Sequence, residues 1–136
     1  MAKTKKVDYT YAVGKRRTAV ARVRLFRGKG ENTVNGKELS KYFEGEVAQK
    51  LIARPFGVTE TSDKYYFSAR VVGGGKNSQL EAVILGISRG LSKISPEENN
   101  PLLRKMGLLT RDGRERQRRM VGKGGKSRRK KQSPKR

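Results

Sequence analysis

Lys15, Arg16 and Arg17, then Arg22 and Arg24 two residues apart, then Arg27 and Lys29 place seven cations within fifteen residues, and no acid falls between Val13 and Gly30. The chemistry open to such a run is the holding of anions. Guanidinium forks meet phosphate oxygens two at a time, so a run dominated by arginine points to phosphate. A solvated face balanced for solubility would intersperse acids. The second concentration closes the chain. From residue 107 to 136 there are 13 basic side chains against two acids, Asp112 and Glu115, a net of +11. Among them Arg111, Arg114, Arg118, Arg119, Lys123, Lys126, Arg128, Arg129, Lys130 and Lys131 precede a terminal Lys135-Arg136. Such a segment has too little apolar surface to offset its ordering entropy, and its like charges repel. Alone it is expected to stay extended, most flexible around Gly122-Lys123-Gly124-Gly125; on a polyphosphate it docks by releasing counterions. The run 126–131 also has the form of a nuclear-localisation signal.

Other chemistries find little to work with. The chain has no histidine, the usual neutral-pH base, and no cysteine for a disulfide framework or thiolate metal site. The lack of cysteine fits a reducing compartment. The paired acids Glu44 and Glu46, Glu97 and Glu98, and Asp112 and Glu115 sit in exposed-looking, helix-start or tail contexts. None sits within an apolar run of the kind that would raise a carboxyl pKa. No enzyme, cofactor or metal is expected. Gly73-Gly74-Gly75 lies where phosphate-binding loops lie, after a strand and before a helix. Yet Gly75-Lys76-Asn77-Ser78 is not Gly-Lys-Ser/Thr, and no Gly-x-Gly-x-x-Gly occurs. Two readings remain there: a tight strand-to-helix turn, or a turn whose amides and Lys76 touch a nucleic-acid backbone. Tyr9, Tyr11, Tyr65, Tyr66 and Phe67 have the rings to stack bases, but on alternating strands most are expected in a core. No apolar run approaches the roughly 18 residues of a membrane span, and the basic lead-in 1–6 lacks the apolar stretch of a secretory signal. The expected setting is soluble and intracellular, with no membrane partner.

Elements must hold these cations in place. Of the net charge of +22, half belongs to the first 106 residues, with 21 basic against 10 acidic side chains. That length suits one modest core. A body, 1–106, and an extended basic tail, 107–136, are the expected divisions. Alternation of Tyr9, Tyr11 and Val13 predicts a first strand over 8–13, followed by a basic turn at 14–17. Residues 18–26 give the clearest strand, with Ala19, Ala21, Val23 and Leu25 inward and Arg22 and Arg24 outward. A short strand is expected at 32–35. The spacing of Leu39, Tyr42, Phe43, Val47 and Leu51 predicts one or two short helices ending near Pro55. Residues 64–72 alternate as another strand. Leu80, Val83, Ile84, Ile87, Leu91 and Ile94 form a helical stripe that Ser78 and Glu81 would open as a capping box. Ser95-Pro96 starts a further helix, kept short by Pro101. The order implies an α+β layout, one sheet with helices on a face.

Several blocks resemble the ninth small-subunit ribosomal protein family. Gly14-Lys15-Arg16-Arg17-Thr18-Ala19-Val20-Ala21-Arg22-Val23 is similar to its opening signature. Asn35-Gly36 with Tyr42-Phe43, Gly73-Gly74-Gly75 leading to 85–91, and Leu108-Leu109-Thr110-Arg111-Asp112 follow in the same order, and the length suggests the bacterial or organellar branch. The resemblance implies a four-stranded sheet with helices on one side and a left-handed βαβ crossover. It implies residence in the head of the small subunit, with ribosomal RNA and neighbouring subunit proteins as partners. It also implies a tail whose tip, Lys135 and Arg136, approaches the anticodon stem-loop of peptidyl-site transfer RNA. The chain departs from the family at 132–136, Gln-Ser-Pro-Lys-Arg where Gln-Phe-Ser-Lys-Arg is usual, and at Asn77-Ser78-Gln79.

The expected function is therefore that of a structural component of the small ribosomal subunit. Lys15, Arg16, Arg17, Arg22, Arg24, Arg27, Lys29, Lys76 and the tail cations before residue 132 would bind ribosomal RNA. A free-standing architectural DNA- or RNA-binding protein, clamped by the tail, is the alternative.

Overall fold

A computed structural model describes residues 8–122 and residue 130. The lead-in 1–6 and the expectations for 123–129 and 131–136, including the flexible point at 122–125 beyond Gly122, lie outside the described residues. Among the described residues, five strands and four helices run in the order β1 (Tyr9–Arg16), β2 (Ala19–Arg27), β3 (Thr33–Val34), β4 (Lys37–Glu38), α1 (Leu39–Tyr42), α2 (Glu46–Val58), β5 (Tyr65–Val72), α3 (Lys76–Ile94) and α4 (Pro96–Lys105). The α+β layout holds, but the sheet has five strands, ordered β1-β2-β5-β3-β4, where four were expected. The additional strand is the two-residue β4. It pairs with β3 because Asn35 (φ +52°) and Gly36 (φ +79°) both turn left-handed, the hairpin turn that suits Asn-Gly. β3 runs parallel to β5 and the other pairs are antiparallel.

Alternation builds the core. Ala19, Ala21, Val23 and Leu25 of β2 and Phe67, Ala69 and Val71 of β5 are buried beneath Leu80, Val83, Ile87 and Leu91 of α3. Ile52 and Phe56 of α2 and Leu103 of α4 complete it, with the Phe56 and Phe67 rings stacked 6.2 Å apart. β1 differs from expectation. Its inward residues are Ala12 and Gly14, while Tyr9 and Tyr11 are exposed on the other face. A Cβ on Gly14 would lie 1.9 Å from the Ala82 carbonyl oxygen and 2.4 Å from the Gly86 nitrogen. Strand and helix are therefore too close here for a side chain, and Gly14 to Arg16 continue the strand instead of forming a turn.

Three local expectations are corrected. α3 starts at Lys76 with Gly75 as its N-cap, and Ser78 caps nothing, because positive φ at Gly73 and Gly74 turns the chain directly into the helix. α2 continues through Pro55 to Val58, since the Pro55 carbonyl still accepts the Thr59 N–H (3.2 Å) and hydroxyl (2.9 Å). α4 likewise passes Pro101 and reaches ten residues; the carbonyl that Pro101 cannot bond, that of Glu97, belongs to an exposed turn. Buried Asn99 ties α4 down by donating to the Leu91 carbonyl at the end of α3 (2.7 Å).

Candidate nucleic-acid interface

Helices cover one face of the sheet and leave the other open. Strand parity puts Tyr9, Tyr11, Val13 and Lys15 of β1, Val20, Arg22, Arg24 and Phe26 of β2, and Tyr66, Ser68, Arg70 and Val72 of β5 on that outer face. No acid is among them. The register sets Arg22 directly opposite Arg70 and Tyr11 opposite Arg24. Like charges facing each other across a ladder destabilise a sheet, and an anion between the two would relieve this pair. The three arginines line an open cleft of about 760 Å³, with Tyr11 on one side and Val72 and the Asn35-Gly36 turn on the other. At one end the Tyr9, Phe26 and Tyr66 rings pack in a row, 5.8 and 5.2 Å apart, and the Arg24 guanidinium lies 5.0 Å from the Tyr9 ring centre.

Backbone pairing at both margins of the face is closed by side chains. Asn35 exchanges two hydrogen bonds with Val71, accepting from its N–H (2.8 Å) and donating to its carbonyl (3.0 Å), and Asn32 accepts from the Phe67 N–H (3.1 Å). On edge strand β1 the carbonyls of Val13 and Tyr11 accept from Arg89 and Lys93 of α3, each at 2.8 Å. These backbone groups are already engaged, and what the outer face itself presents is side chains.

The cations singled out from the sequence divide into two groups. Lys15, Arg17, Arg22, Arg24, Arg27 and Lys29 are exposed. Arg16 is not available in the same way. It lies on the helix side of β1, its side chain only 11% exposed, bonded to Glu81 of α3 and donating to the Arg114 carbonyl (2.8 Å), with Asp112 at 3.5 Å. Lys76 is exposed but engaged, 3.5 Å from the Tyr42 ring centre and 3.2 Å from the Tyr42 carbonyl. Tyr42 in turn donates to Gln79, and Gln79 donates to the Gly73 carbonyl, so the glycine turn is laced to α1. Arg111 is half-buried, its guanidinium reaching the Arg17 carbonyl at 3.5 Å. Arg114 pairs with Asp112 at 2.7 Å; Arg118, Arg119 and Lys130 are exposed. Lys123, Lys126, Arg128, Arg129, Lys131, Lys135 and Arg136 lie outside the described residues. Sequence reasoning missed Arg70, although its parity was legible, and expected most of the strand aromatics in a core, where Tyr11 is not.

Arg16, Glu81, Asp112 and Arg114 form a clasp that holds the chain after Leu109 against the body. The Arg114 side chain, then its backbone N–H, hold the Asp112 carboxyl well below the usual carboxylate range. A depressed carboxyl pKa contributes stability above the unfolded value and loses it only as pH falls through the folded one. Asp112 is thus expected to keep its charge at a pH where ordinary aspartates, near about 4, are half protonated. Carboxyl-carbon NMR shifts of Asp112 across an acid titration measure this. A midpoint near that ordinary value would contradict it.

Among the described residues no cluster of His, Cys, Asp or Glu is arranged to hold a metal ion, and no helix is long and apolar enough to cross a membrane. Comparison with known proteins then connects this face to a lineage. The family described as ribosomal protein S9/S16 matches residues 14–136. The chain belongs to the ribosomal protein S9/S16 family. It is 43% identical over 118 residues to small ribosomal subunit protein uS9 of Maridesulfovibrio salexigens, covering 87% of this chain and 90% of that one. With the protein of the same name from Lawsonia intracellularis it shares 44% over 115 residues, 85% of this chain and 88% of the relative. With that of Leifsonia xyli subsp. xyli it shares 45% over 111 residues, 82% of this chain and 66% of the relative. The S9/S16 family is one of structural, non-enzymatic ribosomal proteins, and the match opens at Gly14, where β1 meets α3.

Proposed function

We propose that the chain is a structural constituent of the small ribosomal subunit that binds ribosomal RNA through the outer face of its sheet, and that its basic C-terminal tail reaches peptidyl-site transfer RNA. The observation that carries the RNA reading is the acid-free face on which Arg22 opposes Arg70 with Arg24 alongside. Phosphate neutralisation relieves that repulsion, and A-form RNA offers mainly shape, phosphate and 2′-hydroxyls to a protein. The names of the relatives, small ribosomal subunit protein uS9, support the assembly. The same reading includes residence in the subunit head, in a cytoplasmic or organellar ribosome, beside other subunit proteins. It also includes a left-handed crossover between β3 and β5 and a division at residue 106 between body and tail. Arg118, Arg119, Lys123, Lys126, Arg128, Arg129, Lys130 and Lys131 continue the RNA contact, and Lys135 with Arg136 meets transfer RNA.

Reach is adequate: 15 residues follow Val121, and at about 3.3 Å per extended residue they span up to roughly 50 Å. Body and tail share the net charge equally, but only the tail must lose chain entropy on binding. Anchoring therefore falls to the body. Deleting residues 133–136 is expected to leave co-sedimentation with small subunits through high salt unchanged. It should weaken transfer-RNA binding at the peptidyl site by about three- to tenfold, in line with the removal of two hydrated cations from its phosphates. Sucrose-gradient profiles and filter binding to the purified mutant subunits across a salt series test both. Failure of the full-length protein to co-sediment defeats the ribosomal assignment. Unchanged transfer-RNA affinity at every salt concentration defeats the role of the tip.

A further inference from the structure

The outer face carries more than charge. Of its tyrosines, Tyr9 is packed by Phe26 and overlain by Arg24, and half-buried Tyr66 lies between Phe26 and the backbone at Gly30. Tyr11 is 43% exposed, and among the described residues no ring or cation covers it. It forms one wall of the cleft in which Arg22, Arg24 and Arg70 stand, and Val72, 61% exposed, lies toward the far wall. A free aromatic face beside three cations, with an apolar contact across from it, suits a ligand that alternates a flat π surface with phosphates. We propose that this cleft takes an unpaired stretch of RNA, one base stacked on Tyr11 and its neighbouring phosphates held by Arg22, Arg24 and Arg70.

Shape favours single strand over duplex. A paired helix hides its base faces and presents a convex wall of phosphate and sugar, leaving Tyr11 and Val72 unused. The cleft, about 760 Å³, has the concavity and scale of sites that enclose small organic groups, roughly 300–1,000 Å³. A splayed base has room in such a space together with its sugar and the neighbouring phosphates. An acidic peptide would satisfy the arginines but leave the ring bare. Stacking on an aromatic ring also tolerates any base, so the cleft specifies unpaired structure and not sequence. The inference rests on the RNA reading of this face and sharpens it.

The test uses the full-length protein with two RNA probes of equal phosphate number, a short unstructured oligouridylate carrying one 2-aminopurine and a fully paired blunt-ended duplex. Wild type is expected to quench 2-aminopurine on binding. Tyr11→Ala should lose that quench and bind the unpaired probe about tenfold more weakly, the ordinary effect of removing one stacking ring. Binding of the duplex should be unaffected, and so should the salt slope on both probes, because no phosphate contact is removed. Tyr11→Phe should retain both quench and affinity. Equal losses on the two probes, or quenching that survives in Tyr11→Ala, overturn the stacking role. So does an unchanged RNA affinity accompanied by weaker binding of a polyglutamate peptide, which makes the cleft a seat for acidic protein. If wild type binds neither RNA, it is the RNA reading itself that fails.

Discussion

Replacing Gly14 by alanine is expected to lower the melting temperature of the free protein by roughly 10 °C or more, since overpacking of this kind costs about 1–3 kcal/mol or above and each kcal/mol shifts a domain near this size by about 4–8 °C. The reason is what the new methyl meets. Its position lies 1.9 Å from the Ala82 carbonyl oxygen and 2.4 Å from the Gly86 nitrogen, both backbone atoms of α3. A side chain can change rotamer; a helix backbone must move as a body, taking Val83 and Ile87 out of the core they fill. Gly86→Ala is expected to cost less, because its methyl meets the Val23 Cγ2 at 2.6 Å, the end of a side chain. Gly57 provides the contrast. It lies in exposed helix with nothing within 4 Å of an added Cβ, so Gly57→Ala should stabilise by about 0.5–1 kcal/mol. Thermal melts followed by circular dichroism in one buffer rank the three. A Gly14→Ala melt within a degree or two of wild type would show that the close approach of β1 to α3 is not tight in solution.

That close approach also explains where the sequence is legible and where it is not. In β2 the apolar residues Ala19, Ala21, Val23 and Leu25 recur at every second position with Arg22 and Arg24 between the last three, so the inward face and the two outward arginines follow from the period, although Val20 and Phe26 share the outer face. β1 breaks the rule that apolar means inward. Its larger apolar residues, Tyr9, Tyr11 and Val13, point out, and the buried positions belong to Ala12 and Gly14 because α3 lies too close for anything bigger. Only the partner helix reveals this, and it is some seventy residues away in sequence. Arg16 escapes a sequence reading for the same reason. One residue of strand parity separates it from Lys15 and turns it to the helix side, where Glu81, 65 residues distant, meets it. The prolines mislead differently, by implying helix ends where the carbonyls left without a donor, those of Leu51 and Glu97, lie on exposed turns. Charge, by contrast, needs no tertiary information. The basic run and the absence of acids are plain from composition, and the structure adds which cations are free and which are already paired.

Replacing Arg22, Arg24 and Arg70 together by glutamine should separate binding from stability and move the two in opposite directions. Each phosphate left without its arginine flattens the slope of log K against log salt by about 0.7–0.9, so three should flatten it by roughly 2–3 units. Because counterion release vanishes toward 1 M salt, the variant and wild type should converge there. They should part to about 100-fold weaker binding near 0.1 M, the difference that such a slope change accumulates over a decade of salt. Stability should not follow. The three side chains are exposed, Arg22 and Arg70 face each other across the β2–β5 ladder, and no acid on that face offsets them. Removing like charges from directly opposed positions is stabilising by a few tenths to about 1 kcal/mol, so the RNA-free variant should melt at or above the wild-type temperature. Arg16→Gln supplies the control in the other sense. Its guanidinium is held by Glu81 and the Arg114 carbonyl, so it should leave the salt slope nearly unchanged while freeing the chain after Leu109 from the body, visible as faster amide exchange at Arg114. Filter binding of small-subunit ribosomal RNA across a salt series, with melts of the same preparations, gives both quantities. A triple variant with an unaltered slope would move the RNA to another surface. One that melts well below wild type would mean that these arginines are part of what holds the sheet together.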